Sequence, residues 1–193
     1  MKLYDSGIII GRFQHFHVGH ESLVETCLGL CDRVILFIGS SQEQGTERNP
    51  FNINTRVDVI REIYGDAIKT IALPDLTNED DITHEWGRYV LDNVDRVLYK
   101  VPEIMVYGDD ESRTDWFSRQ DSRGTIKVVV PRSNIDISAT QVRKIMVLDD
   151  RREWMKVTNP KIHKLYEPLR SELMSIKFYQ EMFDKMMREK YSK

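Results

Sequence analysis

The chain has 193 residues, a formal net charge of −3 and 40% hydrophobic residues, enough for one domain with a sizeable core and no covalent staples. Two cysteines, Cys27 and Cys31, are too few for a disulfide framework or a four-ligand zinc site, so both read as core thiols in a reducing, cytoplasmic setting. No apolar run reaches membrane-spanning length and no cleavable-signal pattern opens the chain, so no membrane partner is expected. Charge is uneven: residues 151–193 carry a net +5 and the remainder −8. An acidic main body excludes a general nucleic-acid surface, and any phosphate it binds must be met by a few placed arginines.

"SGIIIGRF" is a short β-branched apolar run and predicts a buried strand. Residues 18–30 predict a helix, with Leu23, Val24, Cys27, Leu28 and Cys31 recurring at three and four. "RVILFIGS" is a second buried strand. Residues 53–64 predict a helix with Val57, Ile60, Ile63 and Tyr64 inward, Asn52 as N-cap and Gly65 as its stop. "KTIALP" is a third strand, closed by Pro74. A polar loop over 76–84 leads to a helix at 84–95, "EIMVYG" is the fourth strand, a short helix covers 114–120, and "TIKVVVP" is the fifth strand. Helices follow at 138–147 and 150–156. The tail is helical from about 161, restarting near Pro168.

Strands separated by helices imply parallel pairing through right-handed crossovers. The expected fold is α/β: a Rossmann-like, doubly wound, five-stranded parallel sheet over residues 1–150, with a helical C-terminal extension over 151–193. Ligands of such sheets bind beyond the carboxyl ends of the strands. Five segments fall on that rim: 11–20, 39–51, 74–76, 107–110 and the stretch leading into residue 138.

The first of these, "GRFQHFHVGH", is dense in polar groups. Gly11 and Gly19 allow close backbone approach, and the amides of the helix start are expected to point outward and attract an anion. His17 and His20, three apart, face one ligand, and Arg12 adds a planar donor fork. The set suits a phosphate chain. G-x-G-x-x-G and the P-loop pattern are both absent. His15 reads as structural or merely exposed. No carboxylate accompanies the histidines, so no protein metal ligand is expected. Asp109, Asp110 and Glu111 read as a solvated turn. The Met-rich tail (Met174, Met182, Met186 and Met187, with Phe178, Tyr179 and Phe183) reads as packing; if exposed, it would be the seam of a homo-oligomer.

"HVGH" resembles the H-x-G-H signature of the nucleotidyltransferase superfamily, and "ISATQVR", residues 137–143, resembles the I-S-x-T-x-x-R stretch that opens a helix near the triphosphate in its small members. "GRFQHFHVGH" is similar to the G-R-F-Q-P-F-H-x-G-H of nicotinamide-mononucleotide (NMN) adenylyltransferases of the archaeal and bacterial-regulator type, with His15 in place of the proline. "IGSSQEQGTERNPF" and "LPDL" extend the resemblance, which covers about residues 7–150.

The resemblance implies the reaction ATP + NMN → NAD + diphosphate. It implies His17, His20 and Arg143 as catalytic residues. It implies Gly11, Arg12, Phe13, Gln14, Arg48, Gly108, Asp109, Ser138, Thr140 and Lys144 for ATP, and Asp75 and Trp86 for NMN, with Trp86 stacking on the pyridine. It also implies Mg²⁺ held mainly by ATP. Two other readings stay open: the same fold acting on another phosphate-bearing acceptor, and a nucleotide-binding sensor without turnover.

Overall fold

The computed structural model describes residues 1–77, 83–108, 115–131, 135 and 137–191. Each apolar run becomes a strand: β1 (Tyr4–Gly11), β2 (Cys31–Ile38), β3 (Lys69–Ala72), β4 (Ile104–Gly108) and β5 (Ile126–Val130). All pair in parallel, in the order β3-β2-β1-β4-β5. The connections carry helices α1 (Val18–Leu30), α2 (Ile53–Tyr64) and α3 (Glu85–Leu98), as parallel pairing requires. Strand order reverses between β1 and β4, so the carboxyl end of β1 lies at the topological switch point where α/β sheets take their ligands.

The chain folds as two interleaved compact units. Unit 1 holds residues 1–11, 21–40 and 67–134; unit 2 holds residues 12–20, 41–66 and 135–193. The division expected at residue 150 falls inside unit 2. Chain order and spatial grouping diverge because the segments leaving β1 and β2, residues 12–20 and 41–66, group with the later helices.

Unit 1 contains the sheet. Its core gathers Ile8, Ile35, Phe37, Leu73, Val90, Val94, Met105 and Tyr107. Cys31 begins β2, because the strand starts directly after the last residue of α1; it does not continue the helix face of Cys27. Both thiols are fully buried and meet at Gly7, where an added Cβ would lie 2.5 and 2.7 Å from the two Sγ atoms. Burial pushes both thiols up, Cys27 well above the ordinary range, where its neighbour Cys31 adds to the shift. Gly87 is equally constrained: a Cβ there would stand 2.1 Å from the Trp116 carbonyl oxygen. Of the short helix expected at 114–120, residue 114 lies outside the described residues, 115–116 form a 3-10 turn, and 119–124 are turns closed by Ser122 N–H donating to the Ser118 carbonyl (3.0 Å).

Unit 2 is helical: α2, then α4 (Ala139–Val147), α5 (Arg151–Lys156), a 3-10 helix (Pro160–Leu165), α6 (Tyr166–Met174) and α7 (Lys177–Tyr191). α2 takes the bounds its flanks predict. Asn52 Oδ1 accepts from Thr55 N–H at 3.0 Å, and Gly65 closes the helix at φ +55°. Trp154, Ile162, Tyr166, Leu173 and Tyr179 form the buried centre. Met174, Met182, Met186 and Met187 are half-buried, in keeping with packing. Among the described residues, no helix is long and apolar enough to cross a membrane.

Candidate active site

The turn 12–20 gathers a close set of aromatic and polar contacts in unit 2. The His17 and His20 rings face each other, 3.9 Å apart between centroids. Phe13 meets His20 edge-on at 5.0 Å, and Phe16 stacks on it at 5.4 Å. His17 Nδ1 accepts from Gly19 N–H at 3.1 Å. A neutral imidazole that accepts at Nδ1 carries its proton at Nε2, so the Nε2 side of His17 is a donor. The glycine of H-V-G-H has a direct cause: a Cβ at position 19 would lie 2.9 Å from His17 Cε1.

The first amides of α1 differ from expectation. Val18 N–H donates to the Val157 carbonyl (3.0 Å), Gly19 N–H to His17 Nδ1, and His20 N–H to the His17 carbonyl (2.8 Å). The helix start is already satisfied because the chain folds back on itself and α5 ends against it.

Arg143, on α4, is 7% exposed, not a solvated helix residue. Its Nη1 donates to the Gln14 carbonyl, and its Nη2 to Thr140 Oγ1 at 3.1 Å. Two of its five N–H donors are placed by these bonds, and the guanidinium is thereby tied to the histidine turn. Ser138 is the N-cap of α4 in a reciprocal capping box with Gln141. Lys144 is exposed on the same helix, and Arg48 is exposed in the loop before α2. Arg12 is half-buried, and its carbonyl accepts from Arg56 Nη1 at 3.0 Å. The Gln14 side chain acts as a backbone substitute: Oε1 accepts from Phe51 N–H (2.9 Å) and Nε2 donates to the Phe51 carbonyl (3.0 Å).

His15 is structural. It is 2% exposed, its Nδ1–H donates to the Phe16 carbonyl (2.5 Å), and its Nε2 accepts from Trp154 Nε1–H (3.3 Å). Burial lowers its pKa to about 4, with Arg143 contributing in the same direction.

Unit 1 holds the remaining candidates. Gly11 ends β1, and its carbonyl accepts from Gly39 N–H at 3.0 Å; Gly108 ends β4. Asp75 Oδ1 accepts from Ser40 N–H (3.0 Å) and Ser40 Oγ (3.2 Å), joining the tips of β2 and β3. Trp86, on α3, belongs to the core and is 8% exposed. It packs on Tyr89 and Trp116 at 5.6 and 6.1 Å, and its buried Nε1–H has no hydrogen-bond partner. An added Cβ at Gly39 would lie 4.0 Å from its Cζ2. Asp75 and Trp86 therefore flank the same turn at Gly39–Ser40. Asp109, with Asp110 and Glu111, lies outside the described residues.

Several residues that build the site carry no signal in the sequence. Arg56, 2% exposed on α2, supports the Arg12 carbonyl. Trp154 seats His15. Tyr179 Oη donates to the Glu47 carbonyl at 2.6 Å. Each acts through a backbone carbonyl or a ring edge, which leaves no spacing pattern to read.

Parallel β3-β2-β1-β4-β5 order with helical connections defines a Rossmann-like α/β protein. The cytidylyltransferase-like family profile matches residues 8–171, and the chain belongs to that family. It is 32% identical over 147 residues to a nicotinamide-nucleotide adenylyltransferase of Thermococcus onnurineus, covering 73% of this chain and 72% of that one. It is 28% identical over 166 residues to the Saccharolobus solfataricus protein of the same name, covering 82% and 87%. A solved bifunctional NMN adenylyltransferase/ADP ribose pyrophosphatase from Francisella tularensis, complexed with AMP and Mn ion, shares the fold with a TM-score of 0.68 at 21% identity. That alignment covers 94% of this chain, which spans about half (52%) of the Francisella protein.

Proposed function

We propose that this chain is an adenylyltransferase that moves AMP from ATP to NMN, giving NAD and diphosphate. The observation that carries the reading is the His17–His20 pair, 3.9 Å apart with the His17 donor side fixed by Gly19, in a chain 32% identical to a nicotinamide-nucleotide adenylyltransferase. An NMN phosphate oxygen attacks the α-phosphorus of ATP. The new P–O bond forms as the bond to the β-phosphate oxygen breaks, and diphosphate leaves with that electron pair. The nucleophile is already anionic and no general base is needed; alignment and charge neutralisation do the work.

His17 Nε2–H and His20 donate to phosphate oxygens, where such preorganised donors stabilise developing charge. Arg48 and Arg143 hold the β- and γ-phosphates, with Arg12 and Lys144 further out. Gly11, Phe13, Gln14, Ser138 and Thr140 shape the ATP site, and Gly108 and Asp109 border adenine or ribose. Asp75 and Trp86 line the NMN site. Because the Trp86 indole is already packed in the core, it offers the pyridine a wall more than a free stacking face.

Among the described residues, no group of three or more His, Cys, Asp or Glu could hold a metal ion. Imidazole and guanidinium donors suit anionic oxygens, not a hard cation. Mg²⁺, held mainly by ATP oxygens and water, would supply neutralisation of the triphosphate. The protein works in the cytoplasm, where its buried thiols stay reduced. Light scattering tests whether the α7 methionines, read as packing, also form the seam of a homo-oligomer.

The test is a coupled assay with purified protein, ATP, Mg²⁺ and NMN, read as NAD formed. Turnover supports the reading. No NAD, but diphosphate release with another phosphate-bearing acceptor, reassigns the acceptor; tight ATP binding with no product from any acceptor makes the chain a sensor.

A further inference from the structure

The loop that carries Arg48 is held at both ends by the C-terminal helices. At one end, Tyr179 on α7 donates from Oη to the carbonyl of Glu47, the residue before Arg48, at 2.6 Å. Burial pushes the Tyr179 phenol up, and the Arg143 charge works in the opposite direction. At the other end, Glu172 on α6 accepts at Oε1 from Asn52 N–H (2.9 Å) and Asn52 Nδ2 (2.8 Å), and at Oε2 from Thr55 Oγ1 (2.7 Å). A carboxylate bound at the N-terminus of α2 meets the positive end of that helix. Tyr179 is 2% exposed and therefore has one place to be.

We infer that Tyr179 and Glu172 are positioning residues for the triphosphate, acting through Arg48. The C-terminal helices are then a working part of the ATP site and not only its packing. The inference rests on the reading of Arg48 as a triphosphate residue. A fixed loop presents the guanidinium already oriented, and the ordering cost otherwise falls on ATP binding.

The experiment compares wild type, Tyr179→Phe, Glu172→Gln, Arg48→Ala and the double variant Arg48→Ala/Tyr179→Phe. ATP affinity is read by calorimetry and KM for ATP and NMN by the coupled assay. Tyr179→Phe keeps the buried ring and removes one hydroxyl. It is expected to weaken ATP binding about 5- to 10-fold, the effect of one lost hydrogen bond, with KM for NMN unchanged. Glu172→Gln, which keeps the shape and one acceptor, is expected to stay closer to wild type than Tyr179→Phe. In the Arg48→Ala background, Tyr179→Phe is expected to have little further effect. Unchanged ATP affinity in Tyr179→Phe overturns the inference while leaving the function standing, as does an effect that simply adds to that of Arg48→Ala. Unchanged ATP affinity in Arg48→Ala overturns the inference together with the assigned role of Arg48.

Discussion

Gly19→Ala separates catalysis from stability. The added Cβ would stand 2.9 Å from His17 Cε1 and 3.0 Å from Nδ1. Carbon contacts settle at about 3.5–4.0 Å, so the ring must retreat by roughly 0.6 Å. The Gly19 N–H···Nδ1 bond, 3.1 Å in the parent, then opens beyond hydrogen-bond range, and the His17 donor loses its fixed aim. A displaced catalytic group of this kind costs about 10- to 100-fold in rate. Stability moves little. Alanine is about 0.5–1 kcal/mol better than glycine inside a helix, which offsets about 1 kcal/mol for the opened bond. The assay is kcat/KM for NAD formation beside a thermal melt. The expected result is a 10- to 100-fold fall in kcat/KM with Tm shifted by only a few degrees. Full activity would refute the argument that Gly19 exists to seat His17. A collapse of Tm would show instead that the loss is one of folding.

Three further outcomes follow from the same geometry. Arg143→Lys removes a fork that reaches the Gln14 carbonyl and Thr140 Oγ1 together; a single ammonium does not span both, and kcat/KM is expected to fall about 100- to 1,000-fold. His15 is buried neutral with its pKa lowered from 6.5 to about 4. The unfolded chain therefore takes up a proton first as pH falls, and stability is lost between pH 6.5 and 4, by up to about 3 kcal/mol. Urea midpoints across that range check it, with His15→Asn expected to flatten the slope and an unchanged slope counting against the buried neutral imidazole. Gly87→Ala pushes a Cβ to 2.1 Å from the Trp116 carbonyl oxygen, a backbone atom with little freedom to yield; soluble yield and Tm are expected to drop sharply, and a variant as stable as wild type would mean α3 is not locked there.

How much was legible depends on the range of the interaction concerned. The five strands and α1 were readable because apolar runs and helical spacing are local. α2 was readable to the residue because Asn52 and Gly65 cap it through their own backbone and side chain. Cys31 was misplaced by one element, since helix spacing continues through a residue that the fold assigns to β2. His15, Arg143 and Trp86 could not be sorted between surface and interior, because burial depends on what packs against them. The outward-facing amides expected at the start of α1 are occupied by Val157 and by His17, the first a partner about 140 residues away.

What the sequence alone determined is the order of strands and helices, the parallel α/β class, and the residue types on the segments that follow β1, β2 and β5. Period and capping are properties of neighbouring residues, and they survive without knowledge of the rest of the chain. Only the tertiary structure decided that residues 12–20, 41–66 and 135–193 form one unit, that Arg143 reaches Gln14, and that Tyr179 reaches Glu47. Those contacts are hydrogen bonds from a side chain to a distant carbonyl. Every residue has a carbonyl, so no residue type announces the partner, and three-dimensional proximity makes the choice.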